Sequence, residues 1–212
     1  MTKVTEIERH INVYTDGSIR NANHKNPDKD THGSSGFIIE DSLTDEINKQ
    51  CYSISDPSVA QTEIIPILLS LCELVYKIKL EVSSEKSYPG TMINYYIDNK
   101  TCVSTITDYM YKWNRFGWKK YDGTEPSNMT LWKKIFNLKL YIDTVLNQYG
   151  YFLAFTWIPS HTKFDSTDHI MTMNQQVDAL VNEVSDTSTS KDRLTVEEIE
   201  SLVEQQLKEL LN

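Results

Sequence analysis

Apolar and polar positions along the chain mark five short segments rich in β-branched and aromatic residues. Val, Ile, Tyr, Phe and Thr fit a pleated, half-buried strand, so these segments predict five β-strands. Their predicted bounds are 11–16, 36–41, 46–54, 91–98 and 151–159. The polar stretch from Gly17 to Ser35 is typical of a long hairpin loop between the first two strands.

Apolar residues recur at helical spacing in five further segments. The predicted helices span 58–78, 100–113, 127–149, 173–184 and 194–211. Ser58, followed by Gln61 three positions later, is typical of a capping box at the start of the first helix. Pro66 lies inside that helix, where it should remove a backbone hydrogen bond and press on the carbonyl of Thr62, so we expect a kink. Gly150 fits a helix C-cap.

The order of these elements predicts the fold class and the domain organisation. Three consecutive strands, followed by strands that alternate with helices, favour a mixed α/β fold with helices packed against one sheet. We expect a single domain over residues 1–184 and a polar linker over 185–193. An acidic amphipathic helix is expected over 194–212, as a C-terminal helical extension.

The composition is that of an ordinary globular protein, with 39% hydrophobic and 24% charged residues. Neither a run of about 18 consecutive apolar residues nor an apolar signal region at the N-terminus is visible in the sequence. The three cysteines, Cys51, Cys72 and Cys102, lack the C-x-x-C spacing of a metal or redox site. We therefore expect an intracellular, cytoplasmic protein in a reducing compartment, without a disulfide framework.

Charge is distributed unevenly along the chain. The net charge of −9 argues by itself against a nucleic-acid partner. Residues 100–140, however, carry eight Lys and Arg against three Asp and Glu, and residues 183–212 carry the reverse. A basic middle and an acidic tail are therefore averaged together in the total, and the middle could contact nucleic acid.

Four acids stand at positions where an unpaired carboxylate would be costly. Asp16 and Asp98 each end a predicted strand, whereas Glu63 and Asp178 lie among apolar residues of predicted helices. Each acid alone has an ordinary explanation as a turn former, a cap or a surface charge, and Asp16-Gly17 is a common hairpin-turn pair. If the four converge, a cation must hold them together. All-oxygen ligands suit Mg²⁺ or Mn²⁺.

The segment of residues 109–120, YMYKWNRFGWKK, interleaves aromatic and basic side chains, and we call it the aromatic–basic segment. Aromatic rings offer stacking surfaces beside cations that neutralise phosphates, a combination typical of nucleic-acid binding. Trp113 and Trp118 could instead be packed between helices. The candidate contacts are Tyr109, Lys112, Trp113, Arg115, Trp118, Lys119 and Lys120.

Seven short motifs follow one another along the chain: VYTDGS, QTEIIPILLSL, YYIDNKTCVSTI, KWNRFGWKK, LWKKI, FTWIPSHT and NQQVDALV. Their order and surroundings resemble type 1 ribonuclease H. The resemblance implies a ribonuclease H-like fold, a five-stranded mixed sheet with helices on both faces. It also implies a metal-dependent endonuclease that hydrolyses the RNA strand of RNA/DNA hybrids to 5′-phosphate and 3′-hydroxyl products.

The same resemblance assigns roles to individual residues. It places the metal-binding acids at Asp16, Glu63, Asp98 and Asp178, which would hold two Mg²⁺ ions, with Mn²⁺ as a substitute. Gly17 would give the backbone room to turn after Asp16. His161 matches the family's mobile histidine, which assists proton transfer and product release. The aromatic–basic segment matches the protrusion that grips the DNA strand, and Ser58 and Asn128 match positions that help to hold a DNA phosphate.

The sequence departs from the family pattern at three places. Val59 can neither donate nor accept a hydrogen bond where the family often reads the RNA minor groove with Asn. Pro66 is unusual so near Glu63. The stretch from His161 to Asp178 is longer than expected, and its Asp168 and His169 are interpreted as solvated loop residues.

Other functions remain possible from the sequence. A 3′-5′ exonuclease would have a second acid two positions after Asp16, where Ser18 stands, and a resolvase would lack the Trp-rich segment. The main alternative is a catalytically weak ribonuclease H-like module that binds nucleic acid or acts as a scaffold through its C-terminal helix. Residues 194–212 could bind another protein or a second copy, or compete with nucleic acid for the basic segment.

Overall fold

The structure is a computed structural model that describes residues 6–21, 30–159 and 168–211, with side chains up to position 208. Over these residues the chain forms one five-stranded mixed sheet in the order β3-β2-β1-β4-β5. The first three strands pair antiparallel, and β1-β4 and β4-β5 pair parallel. The strands are β1 Arg9–Arg20, β2 His32–Asp41, β3 Glu46–Ser55, β4 Thr91–Ile97 and β5 Tyr151–Trp157.

Helices cover both faces of this sheet, which confirms the predicted fold class. On one face α1 and α4 pack over a large core, and on the other α5 packs over Tyr14 and Ile38. One π-helical turn joins α2 to α3, and a 3₁₀ turn ending at Gly150 follows α4. The helices are α1 Val59–Ser83, α2 Lys100–Ser104, α3 Met110–Arg115, α4 Met129–Thr144, α5 His169–Thr187 and α6 Val196–Leu211.

The first strand continues past the point where the sequence predicts a turn. Asp16 pairs with Gly36 and Gly17 with Ser35, so the hairpin-turn interpretation of Asp16-Gly17 is wrong. A Cβ atom on Gly17 would lie 2.4 Å from both the carbonyl carbon and the carbonyl oxygen of Thr62 in α1. Glycine is therefore required here because a helix crosses the strand closely, and not because the backbone turns.

A residue of the neighbouring strand β2 compensates for the hydrogen bond that the internal proline of α1 removes. α1 begins at the predicted capping box and continues through Pro66 to Ser83. Pro66 has no N–H for the carbonyl four residues earlier, which is that of Thr62. The Ser35 hydroxyl donates to this carbonyl oxygen at 2.8 Å. A side chain of β2 thus replaces the helical hydrogen bond that Pro66 removes.

The helix α1 also has the length and apolar composition of a membrane-spanning helix, but 61% of its most apolar window is buried inside the domain. That burial is the behaviour of a core helix, since Ile65, Leu68 and Leu71 are completely buried against the sheet. The apolar character of α1 is thus accounted for by the fold itself.

The C-terminal helix packs on the same core. α5 ends at Thr187, so the first three residues of the predicted 185–193 linker are helical. Leu194 forms an isolated parallel bridge with Ile54 of β3. Ile199 and Val203 of α6 are buried. The predicted extension therefore lies against α1 and the edge strand β3.

Candidate active site and nucleic-acid surface

Three elements bring carboxylates together at one end of the sheet. The parallel register places Thr15 of β1 beside Ile97 of β4, so Asp16 and Asp98, the next residues, lie side by side. Glu63 comes from the second turn of α1, which the glycine at position 17 lets approach β1. Asp98 directly follows β4, and Asp16 and Glu63 lie where α1 crosses β1. The fold thus brings the three carboxylates together.

The resulting cluster is tight. One carboxylate oxygen from each of Asp16, Glu63 and Asp98 lies within 4.8 Å of the others. Asp16 is buried, and Glu63 and Asp98 are half-buried. The Asp16 carboxylate also accepts a hydrogen bond from the Gly17 amide at 2.7 Å, which fixes its orientation. Three of the four predicted acids thus share one small volume.

The electrostatics of the cluster follow from burial and from like charges. Burial, followed by the charge of Asp98, raises the pKa of Asp16 to about 7. Burial, followed by the charges of Asp16 and Asp98, raises the pKa of Glu63 to about 8. Carboxyl groups so placed resist joint ionisation unless a cation is shared among them.

Asp178, the fourth predicted acid, reaches the cluster from α5 on the other face of the sheet. It is exposed, and its charge contributes to the raised pKa of Asp16 after burial and the charge of Asp98. The amide of Asn182, one helical turn later, donates to one of its carboxylate oxygens at 2.9 Å. Asp178 therefore adjoins the three-acid cluster on the side of Asp16.

The predicted histidine, His161, lies outside the described residues. The two neighbouring candidates, Asp168 and His169, are exposed, as the sequence suggests, but they lie at the N-terminus of α5 and not within a loop. The Asp168 carboxylate caps α5 by accepting from the amides of Ile170 and Met171. The Nε2 atom of His169, the first residue of α5, lies 3.0 Å from the Glu40 carboxylate. Both residues fix the start of the helix that carries Asp178.

The aromatic–basic segment forms α3 and the loop that follows. Tyr109 and Trp113 stack with ring centroids 6.1 Å apart, and Trp118 meets Phe136 of α4 edge-on at 5.7 Å. Trp113 and Trp118 are half-buried against the main core, so packing explains part of their presence. Trp113 also stacks on Tyr109, which is exposed.

The cations of this segment differ in their surroundings. Lys112 forms an ion pair with Asp108 at 2.5 Å and lies over the Tyr109 ring. Arg115, Lys119 and Lys120 are exposed, which leaves three positive charges on the surface of the segment.

Two exposed aromatic residues of this surface, Phe116 and Tyr121, are not among the contacts predicted from the sequence. Phe116 is 73% exposed, and Tyr121 is fully exposed directly after the segment. Together with residues of the segment they line an open cleft of about 410 Å³. The sequence pattern could have predicted both residues, because they belong to the same alternation of aromatic and basic residues. The other lining residues are Tyr109, Lys112, Trp113, Lys119 and Lys120.

The two predicted phosphate contacts, Ser58 and Asn128, lie at helix N-termini. The Ser58 hydroxyl accepts from the Gln61 amide at 3.2 Å, so it has a structural role as the cap of α1. Asn128 precedes α4 in the left-handed conformation, with φ of 57°, and its side chain makes no capping hydrogen bond. Its amide is thus not used to cap its own helix.

The donor set of the carboxylate cluster fits a divalent cation. Its ligand atoms are carboxylate oxygens, which Mg²⁺ and Mn²⁺ prefer. A shared 2+ charge would offset the repulsion that raises the pKa values of Asp16 and Glu63. Asp16, Glu63, Asp98 and the adjoining Asp178 are the residues that could hold it.

Comparison with solved structures identifies the fold. Prototype foamy virus protease-reverse transcriptase superposes with a TM-score of 0.62 at 15% identity, over 86% of this chain and 22% of that one. This chain thus spans about a fifth of that viral protein. The foamy virus RNase H domain on its own gives a TM-score of 0.62 at 14% identity, over 85% of this chain and 97% of the domain.

A second kind of neighbour comes from compost metagenomic DNA. LC11-RNase H1, in complex with an RNA/DNA hybrid, gives a TM-score of 0.52 at 19% identity, over 83% of this chain and 96% of that one. Protein-family models and curated protein sequences give no match to this chain. The structural likeness shows that the chain has a type 1 RNase H-like fold, as the sequence motifs predicted.

Proposed function

We propose that this protein is a metal-dependent endonuclease that hydrolyses the RNA strand of RNA/DNA hybrids to 5′-phosphate and 3′-hydroxyl ends. The observation that carries the proposal is the cluster of Asp16 in β1, Glu63 in α1 and Asp98 directly after β4. The fold adds support, since LC11-RNase H1 and the foamy viral protease-reverse transcriptase were both solved with an RNA/DNA hybrid.

The chain's own residues would prepare the site for two divalent ions. Asp16 would be the central ligand, because it lies in the cluster with Glu63 and Asp98 and is also influenced by the charge of Asp178. When bound, such ions activate a water molecule and stabilise the leaving oxygen of a phosphodiester. The acids hold a scissile phosphate only through those cations, since four carboxylates alone would repel it. His161 would assist proton transfer and product release.

Substrate choice would come from two separate surfaces. The carboxylate cluster faces one strand, and the aromatic–basic segment, with Arg115, Lys119 and Lys120 exposed, binds the backbone of the other. Phe116 and Tyr121 extend that surface with exposed rings. Ser58 and Asn128 would add hydrogen bonds to a DNA phosphate at two helix N-termini.

The alternative, a non-catalytic module that acts through its C-terminal helix, needs an apolar face on α6 that is free for a partner. Ile199 and Val203 are instead buried against the protein's own core. The packing of α6 therefore favours the enzyme over the scaffold.

The test is cleavage of three labelled duplexes, RNA/DNA hybrid, double-stranded RNA and double-stranded DNA, with Mg²⁺ or with EDTA. We expect Mg²⁺-dependent cuts in the RNA strand of the hybrid only, and products whose 5′ ends are sensitive to phosphatase. The variant Asp98→Asn should lose this activity while remaining folded, because it removes one metal ligand. Asp45→Asn, in the exposed β2–β3 turn, is the matched control. Wild-type cleavage by Asp98→Asn would refute the assignment of the site.

A further inference from the structure

We infer that Asn182 is a positioning residue for Asp178, and that it is held in turn by Ser18 and Arg20 of β1. The inference rests on the proposed function, in which Asp178 is a metal ligand. It concerns the side chains that fix the one acid of the site that comes from an exposed helix position.

The residues involved form a ladder between a strand and a helix. Asp16, Ser18 and Arg20 are spaced by two along β1, and the facing residues of α5, at positions 178, 182 and 186, are spaced by four. Two residues of a strand advance about 6.6 Å and four residues of a helix about 6 Å, so the two series stay in step over three rungs. The rungs are Asp16–Asp178, Ser18–Asn182 and Arg20–Asp186.

The middle rung fixes the orientation of the Asn182 amide. Its Oδ1 accepts from the Ser18 hydroxyl at 2.9 Å and from Arg20 Nη2 at 3.0 Å. An arginine can only donate, so the oxygen of the amide must face Arg20 and its NH₂ group must face away. That group donates to the side chain and to the backbone carbonyl of Asp178, both at 2.9 Å.

The outer rung holds the register. Arg20 Nε donates to Asp186 at 2.7 Å, and Nη1 of the same arginine donates to the Ser18 hydroxyl at 2.6 Å. One guanidinium thus ties the middle rung to the outer rung and sets α5 against β1 at a single position. A shift of α5 by one turn would break every rung.

The consequence for Asp178 is a fixed carboxylate. An exposed aspartate on a helix samples several rotamers, whereas the bond from Asn182 holds one carboxylate oxygen and leaves the second without that constraint. The bond from Asn182 thus limits the rotamers of Asp178 beside Asp16. Partners that orient metal ligands in this way typically change metal affinity by about 10–100-fold when removed.

A double-mutant cycle on Mn²⁺ binding tests the inference. Calorimetric titration of the full chain with Mn²⁺ alone is compared for wild type, Asn182→Ala, Asp178→Ala and the double variant. We expect Asn182→Ala to weaken Mn²⁺ binding about 10-fold or more. The same change should have no further effect once Asp178 is gone, because Asn182 acts through it. Gln175→Ala, an exposed amide on the same helix, is the matched control and should bind like wild type.

Two outcomes would overturn the inference: an Asn182→Ala variant that binds Mn²⁺ like wild type, or an equal loss with and without Asp178. Melting temperatures in EDTA separate a general loss of stability from a loss of affinity. Hybrid cleavage is measured on the same samples. Mn²⁺ coupling without cleavage would refute the proposed function and support the positioning role, whereas cleavage without coupling would do the reverse.

Discussion

In the absence of divalent ions, raising the pH from 5 to 8 should destabilise the protein. The cause is the carboxylate cluster, in which burial, followed by neighbouring charge, raises the pKa of Asp16 to about 7 and of Glu63 to about 8. In the unfolded chain these groups ionise near pH 4. Between these pH values the folded state binds more protons than the unfolded state, so its stability falls as the pH rises.

The size of the effect follows from the shift of one group. A pKa raised from 3.8 to about 7 in Asp16 corresponds to roughly 4 kcal/mol of stability that is lost by pH 8. For a domain of about this length, 1 kcal/mol changes the melting temperature by about 2–4 °C. Because the unfolded group ionises near pH 4, roughly 1.5 kcal/mol of this is already lost at pH 5. The remaining roughly 3 kcal/mol should lower the melting temperature of the metal-free protein by about 5–10 °C between pH 5 and pH 8.

At lower pH a different group sets the stability. Burial raises the pKa of Asp41, but hydrogen bonds from Arg9 and Lys77 outweigh it and lower the pKa to about 2. The folded pKa lies below the unfolded value of 3.8, so this contribution is complete above pH 4 and lost as the pH falls toward 2. For these groups, the metal-free protein should accordingly be most stable near pH 4.

The assay is thermal unfolding across pH 3 to 9, in EDTA and in excess Mg²⁺. Mg²⁺ binds the ionised carboxylates, so it should raise the melting temperature more at pH 8 than at pH 5.5. Asp98→Asn should flatten the alkaline decline, because one of the charges acting on Asp16 and Glu63 is removed. Asp45→Asn should leave it unchanged. A metal-free melting temperature that holds constant or rises from pH 5.5 to 8 would refute the reasoning.

Three further predictions concern other parts of the molecule. Neutralising Lys119 and Lys120 together should reduce the salt slope of hybrid binding by about 1–2, since each lost phosphate contact removes about 0.7–0.9 released counterion; an unchanged slope would exclude backbone contact. His161→Ala should slow single-turnover cleavage by about 10²-fold or less, and a loss as complete as that of Asp98→Asn would show that the metal ligands are misplaced. Ile199→Ala, which truncates a buried side chain of α6, should cost about 2–5 kcal/mol in chemical denaturation. The exposed Leu202 offers the control, and equal costs for the two substitutions would contradict the packing of α6.

Most secondary structure could be predicted from local patterns, because strand and helix periodicities are local. The end of β1 could not. Gly17 and Ser18 resemble a turn in isolation, and what keeps them in a strand is pairing with Ser35 and Ser34 and the close passage of α1. These contacts join residues that are far apart in sequence, so they cannot be predicted from the residues immediately around Asp16.

The candidate site likewise combines features that local sequence patterns predict with contacts that they do not. Asp16 and Asp98 could be located because each acid directly follows a run of strand-forming residues, and parallel pairing of β1 with β4 then puts them together. The residues that hold the side chain of Asp178 could not be predicted in this way. Asn182 looks like an ordinary helix-surface amide, and its partners Ser18 and Arg20 lie more than 160 residues away.

The net charge of −9 is a poor guide to the surface that a nucleic acid would meet. Part of the acidic excess belongs to the carboxylate cluster of Asp16, Glu63 and Asp98, and part forms ion pairs inside the fold. Glu200 and Glu204 of α6 form ion pairs with Lys134 of α4, whose side chain is only 8% exposed. Lys134 belongs to the basic region of residues 100–140, but its charge is neutralised by the acidic residues of α6. It therefore adds little positive charge to the surface. The cations that remain on the surface of the aromatic–basic segment include Lys119 and Lys120. Since an interaction with phosphate depends on charges within about a Debye length, these residues determine the attraction and the total does not.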